Sequence, residues 1–164
     1  MNFQRKFRAI RLRLEALYLL SISKFLIVLV PFPRWSKLLG QFGLETLKDD
    51  AFDQRDILMA VERAVLFSSR LVPWPSKCLD KAITCQRLLN TRGISTTLYL
   101  GMKKTEDSKW TAHAWVRSGN RYVIGYEPGM NHTVVGTYST LLSKRYLDTS
   151  RQACPKVSRY LLST

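Results

Sequence analysis

The sequence is short of the residues that build disulfide frameworks and metal sites. It contains three cysteines, Cys78, Cys85 and Cys154, and two histidines, His113 and His132. A small, odd number of cysteines does not make a disulfide scaffold, which favours a reducing compartment, most simply the cytoplasm. The cysteines and histidines also lack the closely spaced ligand pairs of structural zinc sites, so we predict no metal and no other cofactor.

Acidic residues are scarce as well. The chain has 12 Asp and Glu against 26 Lys and Arg, which leaves a net charge of +14. A surplus of this size predicts an anionic partner, such as an acidic peptide, an anionic lipid surface or nucleic acid. Because no aromatic RNA-binding motif, paired zinc-ligand spacing or helix-turn-helix is present, we predict no binding to nucleic acid.

The sequence also lacks an apolar run long enough to cross a bilayer. Residues 1–14 are basic and residues 16–30 are apolar, an order that resembles a secretory signal peptide. However, Lys24 interrupts the apolar run, which is shorter than the ~20 residues that span a bilayer, and PFPRW follows in place of a small-residue cleavage site. We therefore favour a buried helix over export, and leave open a helix lying on the inner membrane surface.

What is present in residues 1–70 is the apolar spacing of helices. A basic amphipathic helix is predicted over residues 3–22, and a short helix over residues 38–47. The apolar face of the first consists of Phe3, Phe7, Ile10, Leu14 and Leu17. Another helix is predicted after Asp49, Asp50 and Asp53. Its apolar face consists of Ile57, Leu58, Val61, Ala64 and Val65. No strand is expected in this part of the chain.

The pattern changes after Pro75. Ser76 is a suitable N-cap, and helical spacing runs from residue 77 to about residue 91, with Gly93 where a C-terminal glycine belongs. Strands are predicted over residues 96–100, 111–117 and 121–124, with a turn at 118–120 and a fourth strand beginning at 133–135. One helix followed by antiparallel strands predicts an α+β domain over residues 71–164, preceded by a helical region over residues 1–70.

Cys78 is the predicted nucleophile. With Ser76 as N-cap it falls in the first turn of a helix, whose dipole favours the thiolate, the form that attacks. A base is also required, and His113 lies in a strand that the N-terminus of this helix could face. His132 follows Gly-Met-Asn and is interpreted as a loop residue. A structural cysteine and a structural histidine fit the same spacing, so spacing alone leaves the pairing open.

A third group normally orients the base. After His113 the only acidic residues are Glu127 and Asp148. Glu127 follows the strand paired with the histidine strand, whereas Asp148 lies in a basic C-terminal stretch and is the poorer candidate. Asn120 and Asn131 could also hold an imidazole.

The other two cysteines are assigned no chemistry. Cys85 is seven residues past Cys78, near the same helical face and two turns deeper, so we predict that it lies in the core. Cys154 lies in the C-terminal tail and is predicted to be incidental.

Three motifs around these residues resemble those of a known family. Residues 74–82 read WPSKCLDKA, residues 88–94 read LLNTRGI and residues 112–116 read AHAWV. In this order and spacing, over about residues 70–138, the set resembles the bacterial transglutaminase-like peptidases of lasso peptide biosynthesis. The resemblance implies a transglutaminase-like, papain-like core, in which a cysteine at a helix N-terminus packs on a small antiparallel sheet, preceded by a helical region.

The resemblance also implies a function. Such proteins remove the leader from a ribosomally made precursor peptide, which frees an amine that an ATP-dependent asparagine-synthetase-like cyclase joins to an Asp or Glu side chain. Cys78 would form the acyl-enzyme, and His113 would activate the thiol and protonate the leaving amine. The N–H of Cys78 is a generic oxyanion donor, with Trp74 and Trp115 as candidate lining residues.

Two departures from the family pattern bear on this interpretation. Some members carry an aspartate twelve residues after the histidine, where this chain, like other members, has Gly125. The third catalytic role therefore passes to Glu127 or to no acid. Fused members carry a strand-rich recognition domain ahead of the peptidase, which residues 1–70 do not resemble, so we predict a separate precursor-recognition protein. The basic surface could engage an acidic leader, that protein or the membrane.

Two other functions fit the same residues. The first is acyl transfer to an amine, the reaction of true transglutaminases, which differs from hydrolysis in its product. The second is non-enzymatic, a basic adaptor for anionic membranes or peptides, and it rests on residues 1–30 and the +14 charge.

Overall fold

The chain folds into helices that cover one face of an antiparallel sheet. The structure, a computed structural model, describes residues 2–48 and 54–140. Its helices are α1 (Asn2–Leu29), α2 (Phe32–Trp35), α3 (Arg55–Ser68) and α4 (Cys78–Asn90), with a 3₁₀ turn at Ser36–Leu39. Its strands are β1 (Gln41–Phe42), β2 (Thr96–Lys104), β3 (Trp110–Ser118), β4 (Arg121–Ile124) and β5 (Thr133–Thr140). The five strands lie in the order β1-β5-β2-β3-β4, and the predicted α+β fold is confirmed.

One hydrophobic core joins α1, α3 and α4 to the sheet. The α3 face that the spacing predicts is confirmed, because Leu58, Val61, Ala64 and Val65 are all buried. From α4, Cys85 is fully buried, which confirms its core position, and burial raises the pKa of its thiol. The sheet side of this core consists of Leu98, Ala114, Val116, Val123, Ile124 and Tyr138.

Helix α1 differs from the prediction in its extent and in its buried face. It continues to Leu29, well beyond residue 22, because nothing breaks it before Pro31. Its core contacts come from a second apolar set spaced by four, Leu12, Ala16 and Leu20. The predicted apolar face, beginning at Phe3, is exposed along most of its length. The helix thus carries apolar residues on two sides, and only one side is covered by the described residues.

The helix predicted over residues 38–47 is wrong, and so is the expectation of no strand before residue 70. Gly40 adopts a φ of +108°, and a Cβ there would lie 2.1 Å from the carbonyl oxygen of Ser139. This close approach lets β1 pair with β5 at the sheet edge, with Gln41 opposite Ser139. The division at residue 70 stays a prediction, although both parts contribute to one core and one sheet. Asp49, Asp50 and Asp53 lie outside the described residues.

The strands after α4 follow the sequence prediction closely. All four predicted strands are present, and β4 begins and ends as predicted at residues 121–124. In the antiparallel pairing of β2 with β3, Gly101 lies opposite His113 and Leu100 opposite Ala114. Among the described residues, no helix has the length and apolar character needed to cross a membrane.

Candidate active site

Cys78 is the first residue of α4. The N-cap is Lys77, not Ser76 as predicted, because the carboxylate of Asp80 accepts the Lys77 N–H at 3.0 Å and fixes the helix start there. The first helical hydrogen bond runs from the Lys81 N–H to the Lys77 carbonyl at 3.3 Å. The N–H of Cys78 therefore has no acceptor within the helix and is available to a ligand.

Asp80 also ties this helix start to α1. Its carboxylate is buried, and one of its oxygens lies 3.8 Å from Nζ of Lys24. A buried carboxylate is costly without a countercharge, and Lys24 provides one for Asp80. Lys24, which interrupts the apolar stretch in the sequence, thus helps to hold the helix turn that carries Cys78.

The Cys78 thiol lies beside the strand that carries His113. Its Sγ donates to the carbonyl oxygen of Ala112 at 3.9 Å, and Ala112 immediately precedes His113. The His113 imidazole, in turn, bonds to the carbonyl of Gly125. Within residues 2–48 and 54–140, each of the two predicted catalytic groups thus bonds to a main-chain carbonyl and not to the other. The thiol thus contacts the main chain of the residue that immediately precedes His113, and the pairing of the two side chains stays a prediction.

The Gly125 carbonyl determines which nitrogen of His113 can act as a base. Nε2 of His113 lies 2.5 Å from that oxygen. A carbonyl oxygen only accepts hydrogen bonds, so Nε2 must donate, and Nδ1 of the neutral imidazole is left as the acceptor. The imidazole is therefore oriented by a main-chain group from the position where the family resemblance places an aspartate.

Only glycine fits at that position with this backbone. Gly125 has a φ of +82°, and a Cβ there would lie 2.4 Å from the carbonyl oxygen of Ala114. An aspartate would need a different path for the chain after β4. Gly125 thus provides no carboxylate side chain, and its main-chain carbonyl accepts the hydrogen bond from His113.

Two of the other candidate orienters, Glu127 and Asn131, have exposed side chains. Glu127 is exposed in the segment after β4, and its main-chain carbonyl accepts the Met130 N–H at 3.1 Å. Asn131 is exposed in the same segment. The role of Glu127 stays a prediction, and Asp148 and Cys154 lie outside the described residues.

The sequence patterns do not single out His132, which the structure places against His113. The two imidazole centroids are 5.3 Å apart, with ring planes inclined by 35°. Among the described residues, Nδ1 of His132 is buried and has no hydrogen-bond partner. Desolvation lowers the pKa of His132, with smaller contributions from His113 and Lys103. A neutral His132 can therefore lie beside His113 without opposing its charge.

Trp115 forms the floor under His113. Its indole is buried and stacks on Tyr99 with centroids 5.5 Å apart, while the His113 ring lies 6.2 Å away. Gly101 provides the room, because a Cβ there would lie 2.7 Å from the Trp115 ring and 3.0 Å from Cβ of His132. Buried in this way, Trp115 supports the imidazole from below. Its predicted contact with substrate stays a prediction.

The segment before Cys78 contributes two unpaired polar atoms. Nε1 of Trp74 and Oγ of Ser76 are both buried and have no hydrogen-bond partner among the described residues. Buried donors in proteins are nearly always paired, so an unpaired donor near a nucleophile is a group for a ligand to bind. The role of Trp74 in lining an oxyanion site stays a prediction.

Comparison with known proteins is consistent with this arrangement. Residues 26–137 match a family model described as the transglutaminase-like superfamily, which covers most of the chain. The chain belongs to the transglutaminase-like superfamily. No curated protein matches it, and no solved structure does. The transglutaminase-like core is thus confirmed, while the lasso peptide subfamily stays a prediction.

Superfamily membership bears on the kind of chemistry. The superfamily includes cysteine peptidases and acyltransferases and is typically enzymatic. The matched region contains Cys78, His113 and Gly125. Lys77 at the start of α4 and Lys103 and Lys104 at the end of β2 are exposed. Exposed cations favour an anionic substrate segment.

Proposed function

We propose that this member of the transglutaminase-like superfamily is a cytoplasmic cysteine peptidase that removes the leader from a lasso peptide precursor. The position of Cys78 is the observation that supports thiol chemistry. It opens α4, and its Sγ lies 3.9 Å from the carbonyl of the residue before His113. The peptide substrate is supported by the WPSKCLDKA, LLNTRGI and AHAWV motifs.

The first step is thiol activation. For this step Sγ of Cys78 must leave the Ala112 carbonyl and meet the imidazole of His113. Nδ1 of His113 takes the thiol proton while the Gly125 carbonyl holds Nε2, and Sγ attacks the carbonyl carbon of the last leader residue. The hydrogen bonds of catalytic groups are often looser before substrate binds than in the Michaelis complex.

The tetrahedral intermediate needs donors for its oxyanion. The N–H of Cys78, which has no helical acceptor, and the unpaired Nε1 of Trp74 are the two donors that we assign to it. Collapse of the intermediate breaks the C–N bond, and His113 returns its proton to the amine of the core peptide. Water then attacks the thioester with His113 again as base, releasing the leader carboxylate and the thiol.

The charge of the protein supports an acidic leader. Exposed lysines lie on both sides of the site, Lys77 at the start of α4 and Lys103 near the end of β2. We propose that a separate recognition protein delivers the leader and that the ATP-dependent asparagine-synthetase-like cyclase takes the freed core. No cofactor is needed for these steps.

Alkylation by iodoacetamide tests the thiol chemistry without a substrate. In a background carrying Cys154→Ser, we expect one fast site that is lost in Cys78→Ser and kept in the matched control Cys85→Ser. His113→Gln should slow that labelling by about tenfold or more, because less thiolate is present. Equal labelling of Cys78 and Cys85, or no effect of His113→Gln, would contradict the proposed pair.

The reaction itself is tested with a precursor peptide. We expect the genes beside this one to encode a short precursor, a recognition protein and the cyclase. Incubation of that precursor with the protein and the recognition protein should yield leader and core fragments whose summed mass exceeds the precursor by one water, and Cys78→Ala should yield neither. An amine adduct at the cleaved carbonyl would show acyl transfer instead, and an uncut precursor would exclude this substrate.

A further inference from the structure

The outer side of α1 carries a continuous apolar stripe that the described residues leave uncovered. Phe3, Phe7, Ile10, Leu14 and Tyr18 recur at spacings of four, three, four and four, and each side chain is between 53% and 82% exposed. We call these five residues the outer stripe. Single exposed apolar residues are ordinary, but a row of five large ones on a single helix face marks an interaction surface.

Basic residues flank the outer stripe on both sides. At 100° per residue, Arg8 and Arg11 fall along one side of the stripe and Lys6 and Arg13 along the other. No acidic residue precedes Glu15. Glu15 itself forms ion pairs with Arg11 and Arg92, and the hydrogen bond from Arg92 is the main cause that lowers its pKa.

The start of α1 also extends beyond the body of the protein. Every residue from Phe3 to Arg11 is exposed, and the first buried residue of the helix is Leu12. A helical segment without tertiary contacts is only marginally stable in water. The helix over residues 3–11 is therefore stabilised most by a surface that both covers the outer stripe and provides negative charge for the flanking cations.

We propose that the outer stripe docks α1 in the interfacial layer of an anionic membrane, with its apolar side chains among the acyl chains and its cations at the phosphates. The pattern is that of a helix lying in the plane of the interface, since long basic side chains can extend from the helix flanks to the headgroups. Phe25, Val28 and Leu29 continue the same exposed side toward the end of α1.

Charge argues against two other occupants. A second copy packed stripe to stripe would bring together the five cations within residues 5–13 of each helix without a countercharge, which is unfavourable. The C-terminal segment over residues 141–164 is itself basic. Against a single acid, Asp148, its cations are Lys144, Arg145, Arg151, Lys156 and Arg159. Lipid phosphates supply the negative charge that both of these lack.

Cosedimentation with vesicles tests the proposal. The full chain is mixed with vesicles of phosphatidylglycerol and phosphatidylcholine, or of phosphatidylcholine alone, at low and physiological salt. We expect binding to the anionic vesicles that weakens as salt screens the charges, and little binding to the zwitterionic ones. The double variant Phe3→Ser, Phe7→Ser should bind on the order of 10-fold or more weakly. Leu47→Ser with Leu71→Ser, two exposed leucines outside α1, is the matched control and should bind as the wild type does.

The cations are tested separately. Lys6→Gln with Arg8→Gln should weaken binding by about 25-fold, because each cation near the surface contributes about fivefold. Lys104→Gln with Lys109→Gln removes the same charge far from α1 and should change binding much less. Hydrogen exchange should show stronger protection of residues 3–11 on anionic vesicles, as expected for a helix stabilised at the interface.

Three outcomes would overturn the proposal. The first is equal binding to zwitterionic vesicles, or none to anionic ones at low salt. The second is unchanged binding by both α1 double variants. The third is concentration-dependent dimerisation without vesicles that Phe3→Ser, Phe7→Ser abolishes, which would assign the stripe to a second copy. None of these readouts involves Cys78, so the membrane proposal and the proposed peptidase stand or fall separately.

Discussion

The polar groups near the two ends of strand β3 differ in their hydrogen bonding. At one end Arg117 is buried and fully bonded, to the Tyr99 hydroxyl at 2.8 Å, Glu45 at 3.0 Å and the Thr46 carbonyl at 2.9 Å. In the segment before Cys78 and beside His113, by contrast, three buried polar atoms have no hydrogen-bond partner among the described residues, Nε1 of Trp74, Oγ of Ser76 and Nδ1 of His132. Near the Arg117 end, Nε of Arg121 and Oγ of Ser139 are also unpaired, so the contrast concerns Arg117 and its own partners.

Arg117 thus belongs to a structural network, whereas the groups beside Cys78 and His113, which we call the candidate reactive end, are open to a ligand. A buried network with every hydrogen bond made fixes one arrangement, and here it holds the segment around Glu45 onto the sheet. Unpaired buried groups lower the stability of the fold, but they remain available to hydrogen-bond a substrate or a reaction intermediate. Trp115 lies between the two ends and stacks on Tyr99, so the bonded end supports the floor of the candidate reactive end.

The largest expected effect is on the candidate reactive end. His113→Gln keeps the size and polarity of the side chain but removes the base. We expect kcat/KM for precursor cleavage to fall about 1,000-fold, within the usual range for loss of a general base, with the thermal midpoint little changed. A loss of less than tenfold, measured alongside a folded spectrum, would show that His113 is not the base.

The second effect is on the bonded end and concerns stability. Arg117→Met leaves Glu45, Tyr99 and two main-chain carbonyls without their partner, and we expect the free energy of unfolding to fall by about 3 kcal/mol. Activity per folded molecule should be kept. Arg121→Met, which removes a part-exposed arginine whose ion pair with Glu62 spans 3.5 Å, should cost about 1 kcal/mol or less. Urea unfolding of both variants measures the contrast, and equal losses would contradict it.

The third effect tests the carbonyl that holds His113. Gly125→Ala puts a Cβ 2.4 Å from the Ala114 carbonyl, so the chain must shift and carry its own carbonyl away from Nε2. We expect a loss of about 1–3 kcal/mol in stability and about tenfold in kcat/KM. Gly129→Ala has a similar φ of +84° with nothing within 4 Å of the added Cβ, so it should be milder in stability and unchanged in activity. Equal activity of the two variants would remove Gly125 from the site.

The smallest effect is on the pH dependence of stability. Because burial depresses the pKa of His132 below its usual 6.5, the unfolded chain binds a proton more readily than the folded one. This contribution to stability is present above pH 6.5 and is lost as the pH falls through the folded value. Between pH 7.5 and 5.5 the urea midpoint of the wild type should therefore fall further than that of His132→Gln. Parallel profiles would show that the folded environment does not disfavour the charged form.

The parts of the site that could be predicted are those that depend on residues close together in the sequence. The placement of Cys78 in a first helical turn and of His113 in a strand follows from local spacing and from the rarity of cysteine and histidine. The hydrogen bond between His113 and the Gly125 carbonyl could not be predicted, because it involves a main-chain group and no side chain marks the position. His132 approaches His113 only because β5 pairs with β2, so that the residue just before β5 meets the face that carries Gly101.

The N-cap and the early strand show a similar limit. Ser76 is the better N-cap by residue type, but the Asp80 carboxylate bonds to Lys77, and Asp80 is held in turn by Lys24 from α1. Residues 38–47 have helical spacing, yet Gly40 approaches Ser139 of β5 and the chain forms an edge strand. In both cases a contact with a distant part of the chain outweighs a local preference.

By itself, the sequence determined that the chain is an α+β protein with a cysteine opening a helix and a histidine in a following strand. It also determined that α1 is amphipathic and basic, because helical and strand periodicities are local properties. Tertiary structure alone decided that Leu12, Ala16 and Leu20 face the core while the outer stripe faces solvent. A helix with two apolar sides has no local rule for choosing between them, since the choice depends on which side meets α3 and α4.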